Sequence, residues 1–199
     1  VSKTSDPLGE WYQYAYEFPA FNDYPKAGIW PDGYYFSFNM FGSYNRVAAA
    51  AYDRVAMLAG DPNAQMVLFD LPQGAGAWSM LPADCDGTPP IAGTPCYFAY
   101  ASDNFWTGGT DQIVFWTFSV DWNNTANSQF QQAFTLPVEP YDSYFCAAPR
   151  GACLPQKGTS QGLETLSDRL MFRLQYRNFG THEVMLTCHT VNVDGQGHA

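Results

Sequence analysis

A chain of 199 residues with 46% hydrophobic and 17% aromatic side chains carries enough apolar surface for one buried domain, which excludes a disordered class. Nineteen carboxylates face nine Lys and Arg, giving a formal charge of −10 that repels phosphate backbones and anionic membrane surfaces. Nucleic acid is therefore not an expected partner, nor is membrane insertion, since no apolar run approaches the eighteen or so residues of a spanning helix.

In chain order, a turn at 5–9 leads into an alternating run at 11–18. Period-2 alternation puts Tyr12, Tyr14, Tyr16 and Phe18 on one face of a predicted strand and Trp11, Gln13, Ala15 and Glu17 on the other. Strand-like runs follow at 26–30, 34–41, 47–53 and 64–69, with Pro31-Asp32-Gly33 as a turn and a helical turn from Asp53 closed by Gly60. Together they read as one four-stranded antiparallel unit over 24–70. The Pro-, Gly- and Ala-rich stretch 71–95 is expected to be a surface loop. A second unit, 96–140, has strands at 97–101, 113–122 and 130–136, with turn chemistry at 121–127. Beyond a loop at 141–162, an incomplete third unit over 163–199 pairs 170–178 with 184–193 across Phe179-Gly180.

Repeated four-strand meanders are the footprint of β-propeller blades. The expected class is all-β, with 1–199 as a single partial, β-propeller-like domain of about three to four blades. A closed propeller typically has 4–8 blades, so missing sequence, another chain or further copies would complete it. The start Val1-Ser2-Lys3-Thr4 lacks an apolar h-region, as a mature or trimmed product would.

Five cysteines occupy 85, 96, 146, 153 and 188. Cys85 with Cys96, and Cys146 with Cys153, each bracket a short loop of turn residues, so local disulfides are expected. Zinc is the rival, disfavoured because the spacings are not C-x2-C and no His neighbours either pair. Cys188 is left over, as a buried free thiol or with a partner outside this chain. Disulfides imply an oxidising compartment, so the chain is expected to be secreted, extracellular or periplasmic.

The strings Asp6-Pro7-Leu8-Gly9, Trp11-Tyr12 and Phe21-Asn22-Asp23-Tyr24-Pro25-Lys26-Ala27-Gly28-Ile29-Trp30-Pro31-Asp32-Gly33-Tyr34-Tyr35 resemble secreted bacterial β-propeller proteins of the broad sialidase-like superfamily. Leu81-Pro82-Ala83-Asp84-Cys85-Asp86-Gly87, followed by Pro89-Pro90-Ile91-Ala92-Gly93-Thr94-Pro95, is similar to their inter-blade loop. The resemblance implies a fold and an extracellular location more than an activity.

Asp84 and Asp86, two residues apart before Gly87, are a calcium candidate, against which stands a plain Asp/Gly turn. Asp121 with Asn123, Asn124 and Asn127 is a comparable oxygen-rich loop. No other cofactor is expected. For hydrolysis of sialosides, the resembling family uses a Tyr nucleophile and an arginine cluster. Arg169, Arg173 and Arg177 share spacing of four, yet the S-x-D-x-G-x-T-W box does not occur. Neither G-x-S-x-G nor H-E-x-x-H occurs, and the three histidines, His182, His189 and His198, have no metal-ligand spacing. Most of the six tryptophans are expected to pack between sheets, while Trp78 and Trp106, in Gly-rich loops, are the candidates for stacking on a ligand.

The leading reading is a non-enzymatic extracellular segment for binding, adhesion or assembly, with a glycan or protein ligand. Alternatives are a glycoside hydrolase whose site lies partly outside the chain, and a structural subunit whose edges pair between copies.

Overall fold

The computed structural model describes residues 1–43, 45–71, 76–143 and 152–191. Strands β1 (Phe21–Ile29), β2 (Gly33–Phe41), β3 (Arg46–Asp53) and β4 (Met66–Asp70) form an antiparallel meander in that order, as the first predicted unit requires. Its helical turn is α1 (Arg54–Ala59), started by the Asp53 side chain accepting from the Ala56 N–H and ended at Gly60, whose φ of 75° is left-handed.

Alanine is a weak strand former, yet β3 carries four in a row, each fully buried. The reason is that this strand is covered on both faces. Ala49 and Ala51 join the core between the sheets, while Ala48 and Ala50 join a smaller cluster with Phe38, Met40 and Tyr52 on the outer face. Tyr16 and Phe18 close that cluster, with ring centroids 4.9 Å from Tyr52 and 5.0 Å from Phe38.

Those two rings belong to the 11–18 run, where the expectation needs correction. The predicted alternation holds, with the Tyr and Phe face half-buried and the other exposed, but the run is not a strand; one bridge joins Ser2 to Trp11. Side chains anchor it instead. The Tyr14 hydroxyl donates to the Met57 carbonyl at 3.0 Å and the Tyr16 hydroxyl to that of Ala64 at 3.0 Å.

Further along the chain come β5 (Leu81–Asp86), β6 (Cys96–Ser102), α2 (Asn104–Thr107), β7 (Gln112–Ser119), β8 (Gln129–Pro137), β9 (Ala152–Leu154), β10 (Leu163–Glu164), β11 (Leu170–Asn178) and β12 (Glu183–His189). β9 and β10 form a two-stranded pair, and the rest a six-stranded sheet ordered β12-β11-β5-β6-β7-β8. The surface loop expected over 71–95 thus contains a buried central strand, with Met80, Leu81 and Ala83 wholly inaccessible. Pro82 concealed it, because proline has no N–H for a ladder. The sheet accommodates this residue by exchanging partners beside it. Leu81 and Pro82 pair with β6, whereas Ala83 to Asp86 pair in parallel with Leu174 to Arg177 of β11.

The strands expected in the third unit, β11 and β12, therefore extend the second sheet and do not form a separate blade; the 192–199 end of that unit lies outside the described residues. Trp30, Tyr35, Val47 and Val67 of the first sheet pack on Leu81, Phe98, Phe118 and Leu174 of the second. Tyr35 meets Phe118 edge to face at 5.3 Å, and burial pushes its phenol far above the ordinary range.

Among the described cysteines, Cys85, Cys96 and Cys188 are free thiols. The expected Cys85–Cys96 bond is therefore corrected. Cys96 is buried in the core between the sheets while Cys85 is half-buried at its margin, and each thiol is turned to a different backbone carbonyl and not to the other sulfur. Cys96 donates weakly to the Ala83 carbonyl and Cys85 to that of Thr88. Cys188 is exposed on β12, not buried. Cys146 lies outside the described residues, and its expected bond to Cys153 with it.

Candidate functional site

The segment Asp103-Asn104-Phe105-Trp106-Thr107-Gly108 turns sharply between β6 and β7. Asp103 is its N-cap, accepting from the Phe105 N–H at 2.7 Å, and Gly108 at φ 68° ends the helical turn. Two buried carboxylates hold this turn in place. The second oxygen of Asp103 accepts from the Ser143 N–H at 2.8 Å and from its hydroxyl at 2.5 Å. Asp111 accepts from the Asn104 N–H at 2.6 Å and the Tyr141 N–H at 3.0 Å. Trp106 completes the arrangement by donating its indole N–H to the Ser143 hydroxyl at 3.2 Å. Burying a carboxylate is costly unless its oxygens are bonded, and here all four are.

The result is a tryptophan fixed at its polar edge yet 43% exposed. Trp78, half-buried against the core and edge to face with Phe41 at 5.8 Å, borders the same space. The two sequence candidates line one cavity of about 160 Å³ together with Ser102, Asp103, Thr107 and Asp168. Asp168 grips Arg169 through both oxygens, at 2.8 and 3.1 Å, and that guanidinium lies 4.7 Å from the Tyr24 ring centre. A second cavity of about 520 Å³ continues past Trp106. Tyr100 and Ser102 of β6, opposite Val114 and Gln112 of β7, form its sheet wall, and Gln132 of β8 extends it.

Chemically the groove offers two indoles, hydroxyls and amides, a combination that suits the apolar faces and hydroxyl rims of sugar rings. Both carboxyls on its wall are already committed to hydrogen bonds. Glycoside hydrolysis commonly uses one carboxyl as the proton donor to the leaving group and a second as nucleophile in retaining enzymes or as base for water in inverting ones.

The other candidates go elsewhere. Asp84 and Asp86 face Arg173, whose guanidinium bonds to both carboxylates, and Gln175 donates to Asp86 at 2.6 Å. The Gln175 bond and then Arg173 hold the Asp86 carboxyl below the usual aspartate range. The charge facing this pair is thus a side chain from β11, and no cluster suited to a metal occurs among the described residues. Asp121 closes its own turn, accepting from the N–H groups of Asn123 and Asn124 at 3.0 and 3.1 Å and from the Asn127 amide at 2.9 Å. Asn127 is the chief cause of its lowered pKa.

The three spaced arginines do not form a clamp. Arg169 binds Asp168, Arg173 binds Asp84 and Asp86, and Arg177 lies over Phe179. Arg173 and Arg177 both stand near Asp86, while Arg169 lies before the register shift between Met171 and Gln175 and turns to Asp168. His182 stacks on Phe179 at 5.0 Å, His189 meets Tyr141 at 4.5 Å, and His198 lies outside the described residues.

Sequence reasoning missed Asp103, Asp111, Asp168, Gln112 and Gln132. Asp103 followed by Gly108 was a legible signal of a capped helical turn; Gln112 and Gln132 become neighbours through the strands β7 and β8, and Asp111 and Asp168 through the loops that precede β7 and β11. No family description, curated protein or solved structure matches this chain.

Proposed function

We propose that this chain is a non-enzymatic binding segment of propeller-like design, whose carbohydrate ligand stacks at Trp78 and Trp106. The observation that carries the reading is the convergence of these two indoles on one cavity, with Trp106 fixed by Asp103 through Ser143. An exposed indole held in advance loses little freedom when a ring stacks on it, which favours affinity. The propeller element rests on two consecutive four-strand meanders, β1–β4 and β5–β8, packed face to face as neighbouring blades are. A location outside the cytoplasm rests on the resemblance noted above, because the free thiols of Cys85 and Cys96 lend it no support.

The test is a glycan array followed by tryptophan fluorescence titration of the best ligands, with glycosidase assays on the same sample. Trp78→Ala and Trp106→Ala are expected to abolish binding without turnover appearing in the parent protein. Turnover that disappears on replacing one carboxylate would overturn the reading in favour of a hydrolase.

A further inference from the structure

We infer that the groove takes a neutral oligosaccharide of at least two rings, with Trp106 between two subsites. This inference rests on the reading of the groove as a carbohydrate site. The cavities of about 160 and 520 Å³ share Gly76, Ser102, Trp106 and Thr107, so they adjoin along the edge that Trp106 forms with these residues. One sugar ring suffices for the smaller space. The larger space is then left for the continuing chain.

The lining of the larger cavity decides the ligand's charge. Its described residues include Tyr100, Thr107, Thr110, Gln112 and Gln132, and none is Asp, Glu, Lys or Arg. Amides and hydroxyls both donate and accept, which matches sugar hydroxyls that do the same. A uronate or sialate carboxylate calls for a guanidinium or ammonium partner. The described wall of the smaller cavity supplies instead the carboxylates Asp103 and Asp168, and the guanidinium of Arg169 is bonded to Asp168 through both oxygens. The formal charge of −10 opposes a polyanion further.

Position supports the second subsite as well. Ser102 pairs with Gln112 and Tyr100 with Val114, so their side chains share one face of a hydrogen-bonded ladder. Gln132 stands on the next strand, β8. The far subsite is therefore built on strands, which hold side chains more accurately than loops do.

The experiment measures affinity by tryptophan fluorescence and calorimetry for size series of neutral gluco-, manno-, xylo- and galacto-oligosaccharides, from one ring upward, beside an oligogalacturonate series. Affinity for the best neutral series is expected to rise at least about tenfold beyond one ring, a factor measurable with confidence. Oligogalacturonates are expected not to bind, and added salt to leave the neutral affinities unchanged. The double variant Gln112→Ala/Gln132→Ala, shown folded by circular dichroism, is expected to lose the gain with length while keeping the affinity for one ring. Equal affinity for one ring and many, preference for the acidic series, or an unaltered length gain in the double variant would each overturn this inference and leave the carbohydrate site standing. Binding to none of the glycans, or binding that Trp106→Ala leaves intact, would overturn both.

Discussion

Gly28 on β1 lies directly against the carbonyl of Ala83 on β5, so closely that a β-carbon on Gly28 would sit 2.3 Å from that oxygen and 2.9 Å from its carbon. The neighbouring Ile29 N–H donates to the Asp84 carboxylate at 3.0 Å, which ties the end of β1 to β5 where the two sheets come together. Here glycine is needed for its missing side chain and not for an unusual φ.

Gly28→Ala is therefore expected to lower stability by about 1–3 kcal/mol, because a rigid carbonyl cannot move aside as a flexible side chain can. Urea unfolding measures this. Gly109→Ala, whose β-carbon would find only Thr107 at 3.6 Å, serves as the control and should stay within about 0.5 kcal/mol. Equal midpoints for the two variants would refute the contact.

Asp103→Ala leaves the Phe105 N–H and both donors of Ser143 without their acceptor. A loss of about 2–5 kcal/mol is expected, together with a red-shifted Trp106 emission as the helical turn loosens. The emission is read in a Trp78→Phe background, difference-corrected with Trp106→Phe. Unfolding midpoint and emission that both stay at the parent values would show that Asp103 positions nothing.

Thiol labelling without denaturant should proceed in a fixed order. Cys188 is exposed and reacts first. Burial, then the nearby Asp84 and Asp86, pushes the Cys85 thiol up and slows it. Burial pushes Cys96 up much further, so it should react only on unfolding. Peptide mapping after timed alkylation checks the order, and early labelling of Cys96 would contradict its enclosure.

Acid should weaken the link between β5 and β11. Bonds from Gln175 and Arg173 lower the Asp86 pKa in the folded chain. The stabilisation is thus present above the unfolded aspartate value of about 3.9 and lost as pH falls through the lower folded value. Carbon-detected titration of the Asp86 carboxyl should give a midpoint below that of an unpaired aspartate, and Arg173→Gln should raise it. A midpoint unchanged by that substitution would sink the assignment.

The first sheet was legible almost strand for strand, because Pro31-Asp32-Gly33 marks its first hairpin and Gly60 ends its helical turn. The Gly-rich surroundings of Trp106 did foretell its exposure, whereas Trp78, in a similar setting, packs partly on the core between the sheets. Three features escaped for physical reasons. Pro82 disguised β5, whose ladder changes partner beside the missing N–H. The 11–18 run has true alternation, but periodicity reports which face is buried and not whether the backbone is bonded. The proximity of Cys85 and Cys96 along the chain suggested a bond, but each thiol is turned to a backbone carbonyl of its own.

The parallel pairing of β11 with β5 also governs when this protein can finish folding. Arg173 and Asp84 lie 89 positions apart, so a chain emerging N-terminus first makes β5 long before its partner exists. Until then the C-terminal half of β5 presents an open edge beside Leu81 and Ala83, already able to bond to a strand of another nascent copy. The β1–β4 meander, built from neighbouring segments, is free to form at once. Crowded synthesis should thus favour mispaired chains through β5, and slower elongation would prolong that interval.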